Sequence, residues 1–257
     1  RVQETGETVV DVLVPEVDAA DLLPGEQVAV VDVTNGKLIR LLVDDEPFDV
    51  RYGELQHHER VLDMRAGTLT REVRWCSPAG KRVAITSTRL VSLEQRGVAA
   101  IEYCVEAIDE FTRVTVQSEL VANEDQPETS NDPRASAILK TPLRAVSHER
   151  EQDGAILIHE TRYSELMMAA AMDHDVDVPG RVEVATDARD DLARTTVICG
   201  LRPGQKLRIV KYLAYGWSSL RSRPALRDQT AAALAGADAV VFSAGAGGGD
   251  AQRTRAV

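Results

Sequence analysis

A chain of 257 residues, 44% apolar and 28% charged, has the composition of a folded globular protein and enough length to bury roughly 70–75% of its unfolded surface in one large or two smaller domains. The formal net charge of −11 is spread along the sequence without a basic run, which argues against nonspecific binding to nucleic acid or anionic membranes. No apolar run approaches the roughly 20 residues of a membrane-spanning helix, and residues 1–10 lack the apolar stretch of a secretion signal, so a cytoplasmic location is expected. Cys76, Cys104 and Cys199 are far apart and odd in number, which supports neither a disulfide framework nor a zinc site; small strand residues are expected.

From the N-terminus, Val9–Val14, Val28–Val33 and Lys37–Val43 are β-branched and aliphatic runs separated by turn signals, Leu23-Pro24-Gly25 and Asn35-Gly36. Asn35-Gly36 between two apolar runs is a tight-hairpin cue, because both residues tolerate positive φ. The densest strand pattern lies between Arg51 and Asp109. Leu69, Val73 and Trp75 share one side of a strand whose other side carries Thr70, Glu72 and Arg74. Ser77-Pro78-Ala79-Gly80-Lys81 then forms a hairpin loop. Val83, Ile85, Val91 and Leu93 keep one parity along the next strand, and Gln95-Arg96-Gly97 turns the chain into Ile101, Tyr103 and Val105, completing a meander.

Val114, Val116, Ser118 and Leu120 share a face of a following strand, and residues 123–132 are too polar to be anything but a solvated loop. Strand patterns resume at Leu139–Glu149, Ala155–His159, Leu166–His174, Arg181–Thr186, Thr195–Leu201 and Lys206–Trp217. In the last, Leu207, Ile209, Leu213 and Tyr215 make the strand one-sided, and Trp75 and Trp217 are expected in the core. About 14 to 17 strands of ordinary length point to two large packed antiparallel sheets, an all-β sandwich. Pro224 opens a helix that runs to Leu234. Residues 1–220 therefore form the sandwich, 221–238 a linker helix, and 239–257 a Gly-rich tail expected to be flexible.

Few constellations suggest chemistry. His57-His58-Glu59 has no second ligand pair, and adjacent strand residues face opposite ways, so two polar strand residues are the simpler reading. Asp63 and Arg65 fit an ion pair shaping a turn before Gly67. His148, His159 and His174 are isolated. Arg134, held after Pro133 at the base of the polar loop, suits contacts to carboxylate or phosphate, or else pairs with Asp132 or Glu128 and merely orders the loop.

The run ERVLDMRAGTL, Glu59 to Leu69, resembles the N-terminal domain of family 65 glycoside hydrolases, which includes maltose, trehalose and kojibiose phosphorylases. The likeness continues through Trp75–Gly80, Ser87-Thr88-Arg89, Ser118–Asn123, Asp132-Pro133-Arg134 and Ala169–His174, in order along most of the chain. The resemblance implies a supersandwich of the galactose mutarotase-like type, serving as the front part of a longer enzyme. That enzyme would attack an α-glucosidic bond with phosphate or water, with inversion, while a single carboxylic acid protonates the leaving oxygen. In the family that Glu and the phosphate site lie in a helical barrel, which is absent here. The resemblance further implies inorganic phosphate as co-substrate, an α-glucosyl disaccharide as substrate, and no cofactor or metal. The sandwich itself would pack on the barrel, lend Asp132 and Arg134 to the rim of its site, and support a homodimer. Two other readings stand beside it. A stand-alone carbohydrate-binding or interaction module is weakened by an aromatic content of only 4%. A mutarotase-like enzyme would need a His with a nearby acid, either His159 with Glu160 or His174 with Asp173.

Overall fold

The computed structural model describes residues 32–124, 141–220 apart from residues 152 and 163, and 222–237. These hold thirteen strands and one helix: β1 (Ile39–Val43), β2 (Glu46–Pro47), β3 (Glu54–Asp63), β4 (Thr68–Cys76), β5 (Arg82–Val91), β6 (Val98–Ala107), β7 (Thr112–Val121), β8 (Leu143–Glu151), β9 (Gly154–Thr161), β10 (Met167–Asp177), β11 (Val182–Ala188), β12 (Leu192–Leu201), β13 (Lys206–Ser218) and α1 (Arg223–Ala235). An eight-stranded sheet runs β3-β4-β5-β6-β13-β10-β9-β8, and a five-stranded sheet runs β11-β12-β7-β1-β2. The expected two-sheet antiparallel sandwich is what forms. The predicted run Val9–Val14 lies outside the described residues, and of Val28–Val33 only residues 32–33 are described, in neither strand nor helix.

Period-2 alternation builds the interior. Val114 and Val116 of β7 and Leu41 and Val43 of β1 pack with Val83 and Ile85 of β5, Val105 of β6 and Leu207 and Ile209 of β13, while Leu120 of β7 packs in a second cluster with Ile101 and Leu213. Trp75 is wholly buried among them, its ring edge-on to Phe48 at 5.4 Å and its indole N–H donated to the Tyr52 carbonyl at 2.8 Å. Burying each such large apolar side chain is worth roughly 1.5–3 kcal/mol. The β4–β5 and β5–β6 turns fall where the sequence places them. Gly97 has φ 88°, and a Cβ there would come within 2.6 Å of the Tyr215 carbonyl, so only glycine fits the turn before β6.

Four expectations are corrected. Asn35-Gly36 is not a positive-φ hairpin turn: Asn35 bridges to Val121 and its side-chain oxygen accepts the Lys37 amide at 2.9 Å, while β1 pairs with β7 and β2. The left-handed residue is instead Asp44 (φ 51°), in the β1–β2 turn. Strand β13 is not one-sided, because Val210, Tyr212 and Ala214 on its second face are buried as well, and α1 packs on that side of the sheet. Val91 and Leu93 lie past the covered part of β5, at 65% and 91% exposure. Trp217 is 59% exposed near the end of β13, where it still pairs with Met168 of β10 but lies beyond Ala214, the last residue that pairs with β6.

Helix α1 starts with Pro224 in its first turn and lies on the outer face of the eight-stranded sheet. Leu226 is fully buried against Ile156, Ile158, Ala169 and Ala171, and Thr230 is buried beside Gly216. A Cβ at Gly216 would collide with the Thr230 hydroxyl, so this glycine sets how closely the helix approaches β13.

Candidate functional site

Asp132 and Arg134 lie outside the described residues. Asp63 and Arg65 sit together in the β3–β4 turn, but the expected ion pair gives way to another device. The Asp63 carboxylate accepts the backbone amides of Arg65 and Ala66, both at 2.9 Å, which closes the turn before Gly67 (φ 67°). A carboxylate two residues back reaches amide protons at less entropic cost than it would pin a long guanidinium in solvent.

On the same hairpin, His57 and Glu59 share a face, and Glu72, opposite Glu59 on β4, joins them with ligand atoms within 4.8 Å of one another. All three are exposed, and the His57 and Glu59 side chains stand 4.0 Å apart at 47% and 58% exposure, with nothing buried to fix them. They read as solvated strand residues. His58, on the other face, accepts a hydrogen bond from Arg71 Nε at 3.1 Å.

The mutarotase-like pairings are not assembled. Glu160 is bound to Arg144, and His159 Nε2 instead meets Asp191 at 3.1 Å, which also accepts Asn123 Nδ2 at 3.1 Å. His174 stands between the sheets, one ring nitrogen 2.7 Å from Ser118 Oγ and the other 2.7 Å from the Asp153 carbonyl. The carboxylate of its neighbour Asp173 accepts the His174 backbone amide at 2.9 Å.

The group that sequence reasoning passed over is Lys211. It lies at the inward parity of β13 between Ile209 and Leu213, directly across from His174 on β10, with no exposed surface. Its ammonium donates to the Glu119 carbonyl at 2.7 Å and the Leu38 carbonyl at 3.4 Å. Burial lowers its pKa to about 7, with the Glu119 charge opposing the shift and Arg89 adding to it. Burial and then the nearby Lys211 charge lower His174 to about 3, with the Asp153 carbonyl opposing. The Glu119 carboxylate, on the other side of its strand, is only 1% exposed and held by Arg40 at 3.0 Å and Arg194 at 2.7 Å. This network ties the two sheets together through polar groups. A lysine at the inward parity of β13, in line with Leu207, Ile209 and Leu213, is the signal that could have found it.

Exposed apolar groups gather elsewhere. Every residue of β3 is exposed, and at its tip Val61, Leu62 and Met64 are 51%, 60% and 83% exposed. Trp217 and Leu220 form a second exposed pair just before α1. On β11, β12 and the turn between them, Thr186, Asp187, Arg189 and Arg194 line a depression of about 240 Å³, smaller than the roughly 300–1,000 Å³ usual for small-molecule sites.

Comparison with known proteins places this sandwich. The chain is 74% identical over 223 residues to an uncharacterized glycosyl hydrolase of Mycobacterium tuberculosis, covering 87% of this chain and 28% of the relative. It is 28% identical over 186 residues to the α,α-trehalose phosphorylase of Thermoanaerobacter brockii, covering 72% of this chain and 24% of that protein. A human-microbiome protein assigned as a kojibiose phosphorylase superposes with a TM-score of 0.72 at 16% identity, over 84% of this chain and 27% of that one, a likeness of fold. The chain thus spans less than a third of the length of these proteins. The model of the glycosyl hydrolase family 65 N-terminal domain matches residues 18–244, and the chain belongs to that family.

Proposed function

We propose that this domain is the non-catalytic front part of an enzyme that cleaves an α-glucosyl disaccharide with phosphate or water, and that its role is to pack against a helical barrel carrying the active site and to support a dimer. The observation that carries this reading is the match to 28% of a glycosyl hydrolase and 24% of a trehalose phosphorylase, always over this domain. The exposed β3 strand and its apolar tip support it, since a face of that kind is ordinarily covered. The buried groups fit a structural role: Lys211, His174 and Glu119 are engaged in bonds that join sheets or strands, away from any surface a sugar could reach. Glycoside cleavage needs a proton donor and a placed nucleophile on either side of one bond. In this reading inorganic phosphate is the co-substrate, and no cofactor or metal is involved.

The test is to incubate the 257-residue chain and the longer protein with maltose, trehalose, kojibiose and nigerose, with and without phosphate, assaying glucose and glucose 1-phosphate. Turnover by the longer protein alone is expected. Turnover by this chain that survives repurification overturns the reading. One observation favours a second reading, a sugar-binding module: Trp217, Tyr52 and Phe111 are 59%, 64% and 61% exposed, and exposed rings are what sugars stack on. Calorimetry with the same sugars, compared between the native chain and Trp217→Ala, separates the two.

A further inference from the structure

The sequence has no basic run, yet the fold assembles a basic cluster. Arg60 of β3 lies directly across from Arg71 of β4, Arg71 across from Ser87 of β5, and Ser87 across from Tyr103 of β6, so the four stand in one row on one sheet face. Arg89 lies two residues beyond Ser87 on the same face. Like charges opposite one another destabilise a strand pair, so a row of this kind costs free energy unless something compensates it.

No carboxylate among the described residues compensates the inner members of this row. Among the described residues five arginines are half-buried: Arg71, Arg89, Arg194, Arg208 and Arg227. Three of them sit on carboxylates, Arg194 on Glu119, Arg208 on Glu102 and Arg227 on Glu149. The two with no acidic partner among the described residues, Arg71 and Arg89, are neighbours in this cluster. Burial and then the charges of Arg60 and Arg71 lower the pKa of Arg89, which registers the mutual repulsion.

The cluster is also held ready. Arg71 has its guanidinium 6.0 Å from the Phe48 ring centroid and donates Nε to His58, which leaves both terminal amino groups to donate elsewhere. Arg89 is anchored in the middle of the sheet, between β4 and β6. The Tyr103 hydroxyl lies within the field of both Arg71 and Arg89. Guanidinium groups set beside hydroxyl groups on one sheet face can bind tetrahedral oxyanions.

We propose that Arg60, Arg71 and Arg89, with Ser87 and Tyr103, form a binding site for a multiply charged oxyanion, a phosphate group either free or as a monoester. The site lies within the N-terminal sandwich and does not depend on where the glycoside is cleaved. Titration calorimetry of the 257-residue chain, at constant ionic strength set with chloride, should show saturable binding of inorganic phosphate or of glycerol 3-phosphate. Tighter binding of the monoester would identify an ester as the source, and equal or tighter binding of inorganic phosphate the free ion. Arg71→Gln and Arg89→Gln should each weaken the binding about tenfold, the loss of one charge-assisted contact. Arg71→Lys should recover part of it, and Arg208→Gln, outside the cluster, should leave it unchanged. Without phosphate, Arg89→Gln should melt no lower than the native chain, because it relieves repulsion, which shows that the variant folds. Absence of saturable binding, or binding that survives both glutamine variants, overturns the proposal.

Discussion

His174 and Lys211 show how single buried bases shape the response of this domain to pH. Folded His174 stays neutral down to about pH 3, whereas its ordinary pKa is 6.5. Between those values the unfolded chain binds a proton that the folded chain refuses, so stability from this site is full above pH 6.5 and is lost as pH falls toward 3. Lys211, lowered to about 7 from 10.5, has the same sign in a higher window: stability rises with pH from 7 to 10.5. Urea unfolding from pH 7 to pH 4 should therefore show His174→Gln losing less stability than the native chain, by on the order of 1–3 kcal/mol. Equal pH slopes would show that His174 is not held neutral. At this scale the sequence was only partly readable. Lys211 was passed over although it stands as a lone charge at the inward parity of β13, whereas the arginine row left no such local sign. Arg60, Arg71 and Arg89 come from three strands, and their alignment depends on register, including an irregularity between Leu55 and His57 that no local pattern announces.

The strands were the most readable elements, because each buries one face and alternation records that directly. The ladder from β4 to β7 follows the predicted parities, with Val73 and Trp75, then Val83 and Ile85, then Val105, then Val114 and Val116 all buried. What alternation hides is a second covering layer. Strand β13 is buried on both faces because α1 lies over it, and the residues under the helix had been left on the solvent side. Gly216 is the contact that permits this docking. Gly216→Val should push the helix away and cost about 1–3 kcal/mol by overpacking, and Leu226→Ala should cost about 2–5 kcal/mol by leaving a cavity. Both should hasten proteolysis within Arg223–Ala235, and a variant as protease-resistant as the native chain would show that the helix is held by other contacts.

For the molecule as a whole, the ten-residue β3 forms an edge of the large sheet with every residue exposed, beside the apolar tip at Val61, Leu62 and Met64. Such an edge invites pairing with another chain. Light scattering across a range of concentrations should find this chain self-associating, and Leu62→Glu with Met64→Glu should reduce the association without changing the circular dichroism. A strict monomer at all concentrations would argue against an interface at this tip. The all-β class was plain from recurring two-residue alternation and turn signals. The order of strands was not, since it rests on pairings between segments far apart in sequence.

That order has a consequence for the birth of the protein. Of the described strands β13 is the last to be synthesised, yet it sits in the middle of the large sheet, with β6 on one side and β10 on the other. Until residues 206–218 emerge from the ribosome, the two halves of that sheet have no partner to join them, and each presents a long bare edge. Loop-closure entropy and the distance of these contacts along the chain both slow the joining step. The nascent domain therefore passes through a stage that is nearly complete in length but still open, and it is then, rather than after folding, that a chaperone would find the most to hold.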